Sequence, residues 1–189
     1  MLLMVTKLKW FCLKIKMVNL IIAPEPSDEI VGCYGVILKR EIKRVFIYYP
    51  NHDEISEPGI ARVKKLFGID VVPIGFLDAF ISSREDITIY APDHYSEPSP
   101  EHKRWGSKIE FFYRDKIIKK VYFYSISMLS PFIFKVPCPI SKKSTLNSCY
   151  LEKKDKWSSN ENFFMFEGSI LVEDPYSGFF NNKPQGLIP

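Results

Sequence analysis

The chain has 189 residues, of which 46% are apolar, 15% aromatic and 25% charged. This length and apolar content fit one globular domain and exclude an intrinsically disordered chain. The 26 lysines and arginines exceed the 22 acidic residues by a net charge of only +4, dispersed in short clusters, so a nucleic-acid-binding protein is not indicated. No apolar run reaches the roughly 18 residues of a membrane-spanning helix, so none is predicted.

The cysteine pattern indicates free thiols and not a disulfide scaffold or a zinc ribbon. No Cys-x-x-Cys pair occurs, and the cysteines are Cys12, Cys33, Cys138 and Cys149. Such spacing is typical of a reducing compartment, so we predict a cytoplasmic location. Residues 1–16 alternate polar and apolar side chains, with lysines that interrupt any signal-peptide core, and they predict an N-terminal extension or an edge strand. The sequence indicates no oligomeric state.

From residue 18 onward, short apolar runs alternate with segments of helical periodicity. The runs predict strands that are buried on both faces. They are Val18–Ala23, Arg44–Tyr49, Asp70–Ile74, Ile87–Ala91 and Val121–Ile126. Strands that alternate with helices predict an α/β protein with a Rossmann-like three-layer fold, a mostly parallel sheet and right-handed crossovers.

The segments between the runs carry helix start and stop signals. Asp28 is placed to be the N-cap of the first helix, and Gly68 takes the C′ position of the second. A short helix is predicted before the fourth strand. The helix after that strand is predicted to begin near Glu101–His102.

The last third of the chain changes character. Phe132–Pro137 predicts a short strand, and apolar segments on either side of Gly168–Ser169 predict a hairpin. The segment between them is polar, and the tail is rich in glycine, proline and asparagine. We therefore predict one domain over residues 17–189, with its core at about 18–126 and a small irregular or β appendage at about 127–189.

Polar side chains follow several of the predicted strands. In an open parallel sheet, ligands bind outside the carboxyl ends of the strands. The loop at Pro24–Glu29 holds three carboxylates, and the loop after the fourth strand holds His94 and His102, two of the three histidines. Carboxylates that face an imidazole across this edge can bind a divalent metal. The structural alternative is that the acidic residues only stabilise a helix N-terminus and that the histidines, including His52 after the second strand, are solvated loop residues.

Three segments resemble one family. Leu20–Gly35 (LIIAPEPSDEIVGCYG) resembles the signature of the PIG-L/LmbE-like zinc-dependent deacetylases, a strand followed by A/P-H-P-D-D-E, an apolar pair and G-C-G-G. Gly75–Asp78 is similar to that family's G-F-x-D segment, and Ser99–Arg104 resembles its H-P-D-H-R motif. The resemblance implies an LmbE-like fold. It also implies hydrolysis of an N-acyl group, typically the N-acetyl group of an amino sugar, by a zinc-bound water.

The resemblance also implies which residues form the site. The metal ligands fall at Glu25, Asp28 and His102, the general base falls at Ser27, and a substrate-pocket residue falls at Asp78. His94 is the rival of His102, because Ala91–His94 resembles the second motif as well.

The metal position differs from the family pattern at Glu25, where the family has histidine. Two carboxylates and one imidazole carry a charge of about −2, which makes a Zn²⁺-bound water less acidic than its usual pKa of about 7. Such hard ligands shift the preference toward Mn²⁺ or another divalent cation. The resemblance therefore implies Zn²⁺, with these cations and a metal-free protein as the alternatives.

The base position differs too, because the hydroxyl of Ser27 cannot accept a proton near neutral pH. Loss of a positioned base costs about 10²- to 10⁴-fold in rate, and Glu29 and Glu97 are the carboxylates that could replace it. Ser99 also replaces the first histidine of the second motif. Two functions follow. The chain is either a metal-dependent deacetylase of an amino sugar or another N-acylated small molecule, or an inactive deacetylase-like protein with a binding or regulatory role.

Overall fold

The computed structural model of the protein describes residues 18–38, 44–50, 57–72, 74–83, 87–126, 134–137, 141–151 and 166–172. The predictions for residues 1–16 and for His52 lie outside these ranges. In chain order the elements are β1 (Val18–Ile22), α1 (Asp28–Leu38), β2 (Arg44–Tyr48), α2 (Glu57–Phe67), β3 (Asp70–Val71), a 3₁₀ helix (Ile74–Phe76), α3 (Leu77–Ser82), β4 (Ile87–Pro92), α4 (Pro100–Arg114), β5 (Val121–Tyr124), β6 (Phe134–Pro137), α5 (Ser141–Cys149) and β7 (Phe166–Val172).

The strands form one sheet in the order β3-β2-β1-β4-β5-β7-β6. The pairs among β1 to β5 are parallel, whereas β7 runs antiparallel to both β5 and β6. Every residue of β1 and β4 is buried, as expected for central strands of a parallel sheet. The predicted α/β fold with a mostly parallel sheet is confirmed.

Helices cover both faces of the sheet. Successive strand residues point to opposite faces, so Ile21 of β1 packs with α1, α2 and α5, whereas Leu20 and Ile22 pack with α3 and α4. The two layers of helices and the sheet between them give the predicted three-layer architecture. Gly68 ends α2 with a φ of 63°, and its amide donates to the Lys64 carbonyl, which confirms the C′ prediction.

The start of α1 differs from the prediction. Ser27, and not Asp28, is the N-cap, because the Ser27 carbonyl accepts from the amides of Ile30 and Val31 at 3.0 and 2.9 Å. Glu29 reaches back to accept from the Ser27 amide at 2.9 Å, which satisfies the backbone N–H of the N-cap residue. The Asp28 carboxylate accepts from the Glu25 amide at 2.8 Å instead of capping the first turn. The cap therefore leaves Asp28 free to face another element.

The predicted hairpin is wrong. β7 runs without a turn through Gly168 and Ser169, where Gly168 pairs with Lys135 of β6 and Ser169 pairs with Tyr124 of β5. Neighbouring strands on both sides supply the hydrogen bonds of this backbone, and that pairing outweighs the local turn preference of Gly-Ser. The appendage is consequently part of the main sheet.

Helix α5 was not predicted, and it packs against α1 and α2. The Lys142 side chain is fully buried and donates to the Val31 carbonyl of α1 at 2.5 Å. Two residues further along α1, Cys33 interrupts the helix with a φ of −134° and a ψ of 24°. Cys33 and Cys149, the cysteines within the described ranges, are buried free thiols. No helix in the described part of the chain is long and apolar enough to cross a membrane.

Candidate functional site

The candidate site lies where β1 and β4 end side by side. Helix α1, which follows β1, covers one face of the sheet, and α4, which follows β4, covers the other. Such a switch point opens a crevice at the carboxyl ends of the two strands, which is where ligands bind in open α/β sheets. The acidic loop that follows β1 and the histidine-bearing loop that follows β4 both belong to this edge.

Asp28 and His102 meet at this edge. Asp28 is the first residue of α1 and His102 lies in the first turn of α4, and the distance from Asp28 Oδ2 to His102 Nε2 is 3.1 Å. Both residues are buried, with exposed fractions of 2% and 5%. The fold thus brings together two predicted ligands that are 74 residues apart in the sequence.

A second carboxylate contacts the other side of the imidazole. Glu97 Oε2 lies 3.3 Å from His102 Nδ1. Glu97 Oε1 accepts from the Ser125 hydroxyl and from the Ile126 amide, both at 2.6 Å. Glu97, which the sequence offers as a substitute base, thus lies beside the histidine. No local pattern indicates Ser125 or Ile126, because they follow β5 and only the sheet brings them here.

The two carboxylates determine the charge of His102. Burial lowers the pKa of its imidazole, but the hydrogen bonds and the negative charges of Asp28 and Glu97 outweigh that effect and raise the pKa to about 10. The imidazole is therefore a cation near neutral pH when it contacts the two carboxylates.

Glu29, the third buried carboxylate, is connected to the end of α5. Its Oε1 accepts from the Tyr150 hydroxyl at 2.6 Å, and its Oε2 accepts from the Ser27 amide. Burial raises the pKa of Glu29 to about 7, although the hydrogen bond from Tyr150 opposes the shift. Glu29 therefore joins the helix cap to the C-terminal third of the chain, a link that the sequence did not indicate.

The other predicted positions are placed as follows. Ser27 is buried at the start of α1 with a φ of 100°. Asp78, at the start of α3, is exposed and forms an ion pair with Lys108 of α4 at 3.2 Å. His94, the rival ligand, lies with its Nε2 2.6 Å from Oε2 of Glu110, which is in the body of α4, two helical turns beyond His102.

Two of the three predicted ligands, Asp28 and His102, are spaced as ligands of one divalent cation would be. Ligands that lie about 2.0–2.2 Å from a tetrahedral ion are about 3.3–3.6 Å apart, close to the separation of Asp28 Oδ2 and His102 Nε2. Across the described ranges, no three histidine, cysteine or acidic side chains are arranged to hold a metal. Glu25, the third predicted ligand, is half-buried and next to this pair, because its amide donates to the Asp28 carboxylate.

Comparison with known proteins supports the fold. No protein-family profile matches the chain, and no curated protein matches its sequence. Among solved structures, N,N'-diacetylchitobiose deacetylase from Pyrococcus horikoshii is similar with a TM-score of 0.60 and 15% identity, over 82% of this chain and 84% of that one. A conserved protein from Thermus thermophilus has a TM-score of 0.54 and 16% identity, over 89% and 98% of the two chains.

A third similar structure has a different activity. The 4-carboxy-2-hydroxymuconate hydratase from Pseudomonas putida gives a TM-score of 0.51 and 10% identity, over 82% of this chain and 96% of that one. One fold therefore carries a deacetylase and a hydratase, so chemistry has to be argued from the site. At these identities the likeness shows that the chain has a deacetylase-like α/β fold.

Proposed function

We propose that the protein is a metal-dependent hydrolase of N-acylated small molecules, with an N-acetyl amino sugar as the substrate class. The ligands are Glu25, Asp28 and His102, and Zn²⁺ or Mn²⁺ is the cation. The 3.1 Å contact between Asp28 and His102 at the switch point carries the proposal, because two residues so distant in the sequence converge where this fold binds ligands. The similarity to a chitobiose deacetylase supports the deacetylase-like fold in which this site lies.

In the proposed site some residues would bind the cation or the substrate, and the residue at the base position, Ser27, would not move a proton. A bound divalent cation would polarise the acyl carbonyl and lower the pKa of a water molecule. Asp28 and His102 would hold that cation at the N-termini of α1 and α4. Asp78 lies exposed at the start of α3, where its carboxylate can accept hydrogen bonds from sugar hydroxyls. Ser27 cannot accept the proton of an attacking water, so we expect hydrolysis to be slower by about 10²- to 10⁴-fold than with a positioned base.

Metal content tests the proposal most directly. Untagged protein is loaded with Zn²⁺ or Mn²⁺, desalted and measured by elemental analysis, together with Asp28→Ala, His102→Ala and His94→Ala. The last variant is the control, because it removes a carboxylate-paired histidine outside the site. We expect one metal ion per chain in wild type and in the control, and none in the other two variants.

Acetate release from N,N'-diacetylchitobiose and N-acetylglucosamine then tests the reaction. We expect slow release by the metal-loaded wild type and none by Asp28→Ala. Wild type that retains no added cation would refute the proposal and would leave the inactive, ligand-binding protein as the function to pursue.

A further inference from the structure

The Glu97 carboxylate is held in one orientation by the segment that follows β5. Its Oε1 accepts from both the Ser125 hydroxyl and the Ile126 amide at 2.6 Å, and the residue is only 1% exposed. Because a backbone amide can only donate, this oxygen has to remain an acceptor. The other oxygen, Oε2, is therefore the one that contacts His102 Nδ1, at 3.3 Å.

This arrangement decides which nitrogen of His102 can bind a cation. A histidine ligand presents an unprotonated nitrogen to the metal, and its other ring N–H donates to a carboxylate or a carbonyl that fixes the ring. Nδ1 of His102 faces Glu97, and Nε2 faces Asp28. In the metal-free protein the imidazolium donates from both nitrogens, from Nδ1 to Glu97 and from Nε2 to Asp28. A cation would displace the hydrogen on Nε2, whereas the hydrogen on Nδ1 stays in its hydrogen bond to Glu97.

We infer that Glu97 is a positioning residue of the metal site, which keeps the hydrogen of His102 on Nδ1 and so presents Nε2 to the cation. This inference rests on the proposed function, because it presupposes that His102 binds a cation. The orientation of His102 itself is testable in the metal-free protein.

The Glu97→Gln variant tests the inference because its amide can take only one orientation. The Gln carbonyl has to replace Oε1, where it accepts from the Ile126 amide, so the NH₂ group has to face His102. That group donates to Nδ1, which forces the ring hydrogen of a neutral imidazole onto Nε2. The contact with Asp28 survives as a hydrogen bond, but Nε2 can release its hydrogen to a cation only if Nδ1 takes one up against the Gln NH₂ group.

Two measurements follow. In metal-free protein labelled with ¹⁵N-histidine, we expect a protected, downfield Nδ1–H proton of His102 in wild type and its absence in Glu97→Gln. Titration calorimetry with Zn²⁺ should show an affinity about 10- to 100-fold lower in Glu97→Gln. Glu57→Gln, which makes the same charge change at the exposed start of α2, should match wild type in both measurements.

The inference is overturned if Glu97→Gln keeps the Nδ1–H proton of His102. It is also overturned if that variant binds Zn²⁺ as tightly as wild type. If wild type binds no Zn²⁺, the proposed function fails while the Nδ1–H measurement still decides the role of Glu97. If Glu97→Gln does not fold, Ser125→Ala replaces it. That variant removes one of two donors to Glu97 and should lower the affinity about 3- to 10-fold, and an unchanged affinity would count against the inference.

Discussion

Replacing Ser27 by aspartate should restore a general base to the site. Ser27 precedes Asp28 and is buried at the N-terminus of α1, at the position where the family resemblance implies a proton acceptor. A positioned base contributes about 10²- to 10⁴-fold, so we expect kcat for acetate release to rise by that factor in Ser27→Asp. Aspartate is also among the side chains that tolerate a positive φ best, so the φ of 100° at this position is a modest obstacle.

The gain in rate should come with a loss of stability in the metal-free protein. Asp28 and Glu97 are already buried against the imidazole of His102, and Glu29 is a third buried carboxylate close in sequence to residue 27. Another buried carboxylate without a partner is unfavourable, and we expect Ser27→Asp to lower the free energy of unfolding by about 1–3 kcal/mol. A cation at 100 times its dissociation constant stabilises the folded state by about 2.7 kcal/mol, which is enough to offset a loss of this size. The variant should therefore be stabilised by Zn²⁺ to nearly the level of the metal-free wild type.

The matched control is Ser27→Asn, which has nearly the volume of aspartate but cannot accept a proton. Acetate release from N,N'-diacetylchitobiose is measured for wild type and both variants, each loaded with Zn²⁺ or Mn²⁺, and metal content is checked in every sample. Equal rates for Ser27→Asp and Ser27→Asn at equal metal content would show that residue 27 is not a base position, and the carried-over role would be refuted.

Three further predictions concern stability and are checked by urea denaturation. Gly32→Ala should lose about 1–3 kcal/mol or more, because a Cβ there would lie far inside van der Waals contact with the ring of Tyr124. Tyr150→Phe removes the hydroxyl that donates to Glu29 at 2.6 Å and should cost about 1–3 kcal/mol through a buried acceptor left unpaired. Burial lowers the pKa of His94 below 6.5, although nearby carboxylates oppose the shift. The unfolded chain therefore takes up the proton first, so wild type should lose stability as the pH falls below 6.5, and His94→Gln should lose less.

The central strands could be predicted from sequence because their signal is local. Val18–Ile22 and Ile87–Pro92 are short apolar runs that the sheet buries completely, and helical segments separate them from their neighbours. Apolar runs separated by helices are typical of a parallel sheet, so the order of elements predicted the architecture. The signal for the end of α2 at Gly68 is equally local, because it depends on a backbone conformation that glycine favours.

The errors occurred where two residues or two environments competed. Ser27 and Asp28 are both good N-cap residues, and the choice between them depends on a turn with a positive φ that the sequence does not reveal. Gly168 and Ser169 favour a turn by composition, yet they lie inside a strand because β5 and β6 pair with it from both sides. A local backbone conformation decided the first outcome and strand pairing the second, and a single sequence reveals neither.

The candidate site shows the same division between local motif and distant support. The motif supplies Asp28 and His102, whereas Ser125 after β5 holds Glu97, and Tyr150 after α5 holds Glu29. The chain departs from the family pattern at the residue that would move a proton and keeps two residues that would bind the cation, together with buried carboxylates anchored from the later part of the fold. Under the proposed function, cation binding and hydrolysis would therefore be separable. A variant that changes only residue 27 tests hydrolysis and leaves in place the contact between Asp28 and His102 on which cation binding would depend.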